Sequence, residues 1–165
     1  MSKISRLFAL ILGTLSYSLV SCDKNIELGD QPEILDTLIS NTTLIIDVYG
    51  FENLDGDLAI AIYNSSETFN SETSYYRDTT VAVNANNMTV HIDSMDPGTY
   101  AISVLHDEDQ SGDMEMGGFL NLIPQEGFGF SNNPEIGFSE PDFAVCKFEL
   151  EESLVVSVPI TLVYM

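Results

Sequence analysis

Apolar and polar positions alternate strictly through most of the chain after residue 41. Leu44, Ile46 and Val48 fall on one face of a first strand, and Leu58, Ile60 and Ile62 on one face of a second, because successive side chains of a strand point to opposite sides. Asp55-Gly56 between them has the chemistry of a hairpin turn, so these two strands are expected to pair. Val81 and Val83 mark a third strand. Met88, Val90 and Ile92 mark a fourth, with Asn86-Asn87 as the turn before it and His91 on the opposite, solvent-facing side. Asp96-Pro97-Gly98 then reads as a turn and feeds a fifth strand with Tyr100, Ile102 and Val104 on its core face and His106 in the same phase at its end.

A long excursion follows, broken by Gly117, Gly118, Pro124, Gly127, Gly129, Pro134, Gly137 and Pro141. An excursion of this length in a compact domain is functional or disordered, and its phenylalanines argue against disorder. Two strands close the chain. The first spans residues 144–150, with Cys146 in phase with Phe148 and Leu150; the second spans 154–164, with every even position apolar. Pro159 lies on the opposite face of that last strand and lacks an N–H, which predicts a sheet edge or a bulge. The pattern predicts an all-β, antiparallel β-sandwich of about seven strands, immunoglobulin-like or transthyretin-like. Its expected core is Leu44, Ile46, Ile60, Ile62, Val90, Ile102, Val104, Phe148, Val156, Val158 and Ile160.

The first 41 residues do not share this pattern. Lys3 and Arg6 precede an uncharged, mostly apolar run over residues 7–20, the n-region and h-region of an export signal. Leu19-Val20-Ser21-Cys22 then resembles the lipobox of bacterial lipoproteins, whose cysteine is lipidated and becomes the first residue of the mature chain. The expected organisation is a signal peptide over 1–21, lipidated Cys22 and a polar tether over 22–41, and a sandwich domain over 42–165. The expected location is the bacterial cell envelope, with the domain held to a membrane by lipid and facing the periplasm or the cell surface. With Cys22 lipidated, Cys146 is the one remaining thiol, which predicts no internal disulfide and a small buried core residue.

Charge narrows the choice of partner. The 165 residues carry 26 acidic side chains against five basic ones, a net charge of −21. Loss of Lys3 and Arg6 with the signal leaves Lys24, Arg77 and Lys147, for a mature charge of −23. Such a chain is repelled by phosphate backbones, so nucleic acid is excluded as a partner, and it attracts cations.

One stretch carries metal chemistry. Asp107, Asp109, Ser111, Asp113 and Glu115 offer an oxygen at every second residue, with Gly112 in sixth place counting from Asp107, the spacing of a calcium-binding loop. Gly118 stands where an EF-hand has its bidentate glutamate, and a strand precedes the loop where an EF-hand has a helix. The expectation is a Ca2+-style turn on a β scaffold, set against an acidic solvated turn that binds nothing. Two functional readings follow: a calcium-stabilised binding or accessory module, and an exported hydrolase-like enzyme centred on His106 and Asp107. No nucleophile elbow, metalloprotease helix or phosphate loop is present, so no catalytic residue is assigned. His106, Asn132 and Asn133 are candidates for a ligand rim, while Phe128 and Phe130, spaced by Gly127 and Gly129, are expected to plug the open end of the sandwich.

The motifs Gly98-Thr99-Tyr100-Ala101-Ile102, His106-Asp107-Glu108-Asp109, the run from Ile123-Pro124 to Asn132-Asn133, and Pro141-x-Phe143 together resemble the bacterial exported domain-of-unknown-function family 2141. The family pattern His-Asp-Glu-Asn-x-Asn-Gly, with an acidic residue three places later, maps onto His106, Asp107, Glu108, Asp109, Ser111, Gly112 and Glu115. Asp109 and Ser111 depart from the family's asparagines, and the link before Ile123-Pro124 is longer than usual. The resemblance implies an exported β domain and brings no established activity.

Overall fold

The computed structural model describes residues 42–165 apart from 119, 121, 138 and 153, so the signal, Cys22 and the tether lie outside the described residues. The elements are β1 (Thr42–Tyr49), β2 (Asp57–Tyr63), β3 (Arg77–Ala82), β4 (Asn87–Met95), β5 (Gly98–Asp107), β6 (Met116–Gly117), β7 (Ile123–Pro124), β8 (Gly127–Phe130), a single helical turn α1 (Phe143–Cys146), β9 (Phe148–Leu150) and β10 (Val155–Thr161). One sheet has the order β10-β1-β4 and the other β3-β2-β5-β8, with β9 joining β5 beside Gly98, Thr99 and Tyr100. All pairings are antiparallel except that of β1 with β10. The all-β sandwich class therefore stands.

Period-2 alternation builds the core as expected. Leu44, Ile46, Leu58, Ile60, Ile62, Ile102, Val104, Val158 and Ile160 are buried between the sheets, with Val90, Val156 and Phe148 packed at the margin. Pro159 sits on β10, an edge strand, where its missing N–H costs no ladder bond. His91 is exposed on β4, as its phase predicts. The Tyr100 hydroxyl donates to the Asp96 carbonyl at 2.8 Å, pinning the turn that enters β5, the corner device of Greek-key sandwiches.

Three expectations are corrected. β1 and β2 do not form a hairpin: they lie in different sheets, and residues 50–56 cross one end of the sandwich. Asp55-Gly56 closes that crossing, which needs left-handed backbone at both Gly50 (φ +89°) and Gly56 (φ +68°) and buries Phe51 beneath it. Residues 144–146 are helical, so Cys146 is buried from α1 and not from a strand. The Gly127–Phe130 segment is a full member of the larger sheet, where an irregular loop was expected.

That segment is a strand because of its glycines. Phe128 and Phe130 pair with Leu105 and Ser103 and cover the outer face of the sheet, forming a second apolar cluster with Ala101, Cys146 and the partly buried Phe69, Phe143, Ile136 and Met114. The alternate positions, Gly127 and Gly129, face inward. A Cβ on Gly127 would lie 2.3 Å from the Tyr164 ring, and one on Gly129 would lie 2.8 Å from Ile160. The chain end therefore packs directly on β8 backbone, and Phe128 and Val163 exchange hydrogen bonds at 3.1 and 2.8 Å, linking the two sheets.

Candidate functional site

The C-terminal end of β5 delivers His106 and Asp107 to the end of the sandwich where the 50–56 crossing, the acidic turn and the chain terminus meet. His106 is fully buried there. Its Nε2 donates to the Asp55 carbonyl at 2.8 Å, since a carbonyl can only accept, and its Nδ1 accepts from the Tyr164 hydroxyl at 2.8 Å. Tyr164 in turn accepts the Glu52 N–H at 3.3 Å, and Phe51 packs edge-on to the imidazole at 5.0 Å between centroids. A general base must present a free lone pair to substrate, and both nitrogens of His106 are engaged inside the protein. Glu108 Oε1 lies 3.7 Å from Nδ1, beyond hydrogen-bond reach. The imidazole is a keystone binding the crossing to the chain end.

Asp107 turns away from His106 into the acidic loop. Its Oδ1 accepts the Ser111 N–H at 2.9 Å and its Oδ2 the Gly112 N–H at 2.9 Å, so one buried carboxylate folds the turn around itself. Asp109 Oδ1 shares the Ser111 N–H at 3.0 Å. The Ser111 hydroxyl donates to the Asp113 carbonyl at 3.0 Å. From the opposite side Glu126, also buried, accepts the Glu108 N–H on Oε1 at 2.8 Å and the Glu115 N–H on Oε2 at 3.0 Å, clamping both ends of the loop.

This geometry assembles a carboxylate triad that differs from the spacing-derived set. Oxygens of Asp107, Asp109 and Glu126 all lie within 4.8 Å of one another, a group that could hold a metal ion. Two oxygens on opposite sides of one calcium at roughly 2.4 Å are about 4.8 Å apart, so the three can share an ion. Among the described residues, the carboxylates of Asp113 and Glu115 do not join the group. Glu126 escapes a spacing-based reading because it lies well beyond the loop in sequence. It does stand immediately before the buried Gly127–Phe130 segment and is itself buried, a place where a carboxylate without partners is costly and so marks a role.

Asn132 and Asn133, with φ of +66° and +47°, spend their amides on the backbone and form no rim. Asn132 Nδ2 donates to the carbonyls of Val145 at 3.1 Å and Lys147 at 2.8 Å. Asn133 Nδ2 donates to the Pro159 carbonyl at 3.0 Å, and its Oδ1 accepts the Thr161 N–H at 2.7 Å, which covers the open edge of β10.

Cys146 is a free, fully buried thiol that burial, reinforced by the Asp142 carboxylate, pushes up to about 11. It is a packing residue, not a nucleophile. Burial likewise raises the hydroxyls of Tyr63, Tyr100 and Tyr164 above their ordinary range. In each case the folded chain holds its proton more tightly than the unfolded chain. The associated stability is complete below the unfolded value, 9 for the thiol and 10 for the tyrosines, and is lost as pH rises through the folded value. The thermal midpoint should therefore fall as pH is raised from 9 to 11; a flat midpoint over that interval would contradict the assignment.

Among the described residues no helix is long and apolar enough to cross a membrane. A model of the family described as an uncharacterized protein conserved in bacteria, domain of unknown function 2141, matches residues 46–157, well over half of the chain. No curated protein and no solved structure matches it.

Proposed function

The chain belongs to the bacterial domain-of-unknown-function family 2141, and from that premise we propose that it is a lipid-anchored module of the cell envelope whose acidic turn takes up a divalent cation, Ca2+ in preference to Mg2+. The observation that carries the reading is the convergence of Asp107, Asp109 and Glu126 within 4.8 Å. Two of the three are buried, and no Lys or Arg occurs between Arg77 and Lys147 in the sequence. Like charges this close repel, and a cation relieves the repulsion that the backbone amides only partly offset. A turn of this kind supplies oxygens without rigid octahedral geometry, which favours the larger ion. The anchor rests on Leu19-Val20-Ser21-Cys22. The bound ion would set the stiffness of the turn, so the module acts through binding, with the cation as a structural ligand. The hydrolase alternative has no support in the geometry of His106.

Thermal melting in calcium against a chelator at matched ionic strength tests this. With a dissociation constant on the order of 10⁻⁴–10⁻³ M and calcium at about 100-fold excess, linkage gives a stabilisation of roughly 2.7 kcal/mol. Equal midpoints in the two buffers would reduce the turn to a solvated loop.

A further inference from the structure

Beyond the acidic turn the chain runs from Met116 to Gln125 without a charged residue, in a protein with 26 acidic side chains. Within this run β6 and β7 form a two-stranded hairpin that is a sheet of its own. Its base is fixed to the candidate cation site: the Glu115 carbonyl accepts the Gln125 N–H at 2.9 Å, and the Glu115 N–H donates to Glu126 at 3.0 Å. Its far end is apolar and, among the described residues, uncovered. Leu120 and Leu122 are 71% and 69% exposed, Met116 and Ile123 are 41% and 39% exposed, and none of the four belongs to either buried cluster. Leu120 also has φ +66°, a left-handed backbone that a leucine adopts only under strain. The fold thus holds a strained leucine outward, at the tip of a hairpin that no other described element covers.

We propose that this hairpin tip inserts into the interface of a zwitterionic lipid bilayer and orients the domain on the membrane. The proposal rests on the anchored reading above, in which lipid on Cys22 holds the domain beside a bilayer. Charge selects the surface. A domain of strongly negative net charge is repelled by anionic lipid, so the contact must be made by an uncharged element on a neutral surface. An element that lies in the interface buries its apolar side at the boundary between headgroups and acyl chains and keeps its charges out of it; here the apolar side is Leu120, Leu122, Met116 and Ile123, and Glu115 lies at the base.

The absence of tryptophan from the chain allows a single-site reporter. Leu122→Trp and, separately, Leu120→Trp are placed in the full-length chain and mixed with phosphatidylcholine vesicles whose acyl chains carry bromine, with Val155→Trp on β10 as the exposed comparison. The tip reporters should shift their emission to the blue and be quenched more strongly than the β10 reporter, in chain that floats with the vesicles. A chain that floats while its tip reporters stay unquenched overturns the proposal and leaves the anchor intact. A chain that does not float overturns both. A blue shift that appears without vesicles and grows with protein concentration assigns the tip to a second copy and also overturns the proposal.

Discussion

Gly56→Ala should destabilise the domain by at least about 4 kcal/mol, lowering the thermal midpoint by on the order of 15 °C. The added Cβ would lie 2.0 Å from the Asp107 carbonyl oxygen, 2.6 Å from Glu108 Cα and 2.8 Å from the Asp107 carbonyl carbon. All three atoms are backbone, so no side-chain rotation relieves the clash. Either the crossing must lift off β5 or the end of β5 must move, and both carry the His106 keystone with them through its bond to the Asp55 carbonyl. Gly112→Ala supplies the control. Gly112 has an equally left-handed φ of +85°, but a Cβ there would meet nothing within 4 Å, so the change should cost only the backbone term, about 1 kcal/mol. The difference between the two variants isolates the contact from the dihedral. Equal losses would mean that the crossing is not pressed against β5.

The same glycine shows why part of the fold was legible in the sequence and part was not. Alternation tells which face of a strand is buried, and it located the core faces of β1, β2, β4, β5 and β10 and the edge position of Pro159. Alternation does not say which strand lies alongside. Asp55-Gly56 has hairpin chemistry, yet Gly56 is required because the chain passes over β5 at backbone contact distance, a demand set by a residue 51 positions away in sequence. Gly127 and Gly129 misled in the same manner. Glycine reads as a breaker in one dimension, but here it makes room for Tyr164 and Ile160 to pack on a strand whose phenylalanines serve the other face.

The candidate site divides along similar lines. Asp107 and Asp109 were visible because a turn that wraps a cation from within needs an oxygen at every second residue, and that is a local pattern. Glu126 reaches the turn only because β8 pairs with β5 and brings the residue before Gly127 next to Glu108. Asp113 and Glu115 fit the spacing, but the turn closes on the Glu126 carboxylate before their own side chains can join it. Gly118 stands at the loop's twelfth position, and the third carboxylate of the group that could hold an ion comes instead from Glu126, just before β8.

Glu126→Ala should cost about 3 kcal/mol even in chelator, because it removes two charge-assisted hydrogen bonds made by a buried carboxylate to the part-buried Glu108 and Glu115 amides. Asp109→Ala should behave in the opposite way. Asp109 is exposed, and the Ser111 N–H that it accepts keeps its bond to Asp107, so the loss in chelator should stay within about 0.5 kcal/mol. In calcium, however, both variants should lose the increment that the ion confers on the parent protein, since each removes one of the three converging carboxylates. The pair of variants in two buffers therefore separates a latch from a ligand. Under the proposed cation binding Glu126 would serve as both, because the carboxylate that holds the turn closed would also complete the oxygen set, whereas Asp109 would serve the ion alone. If the two substitutions lower the chelator midpoint equally, Glu126 is not the clamp of the turn. If Asp109→Ala retains the calcium increment in full, the ion does not sit among these three oxygens.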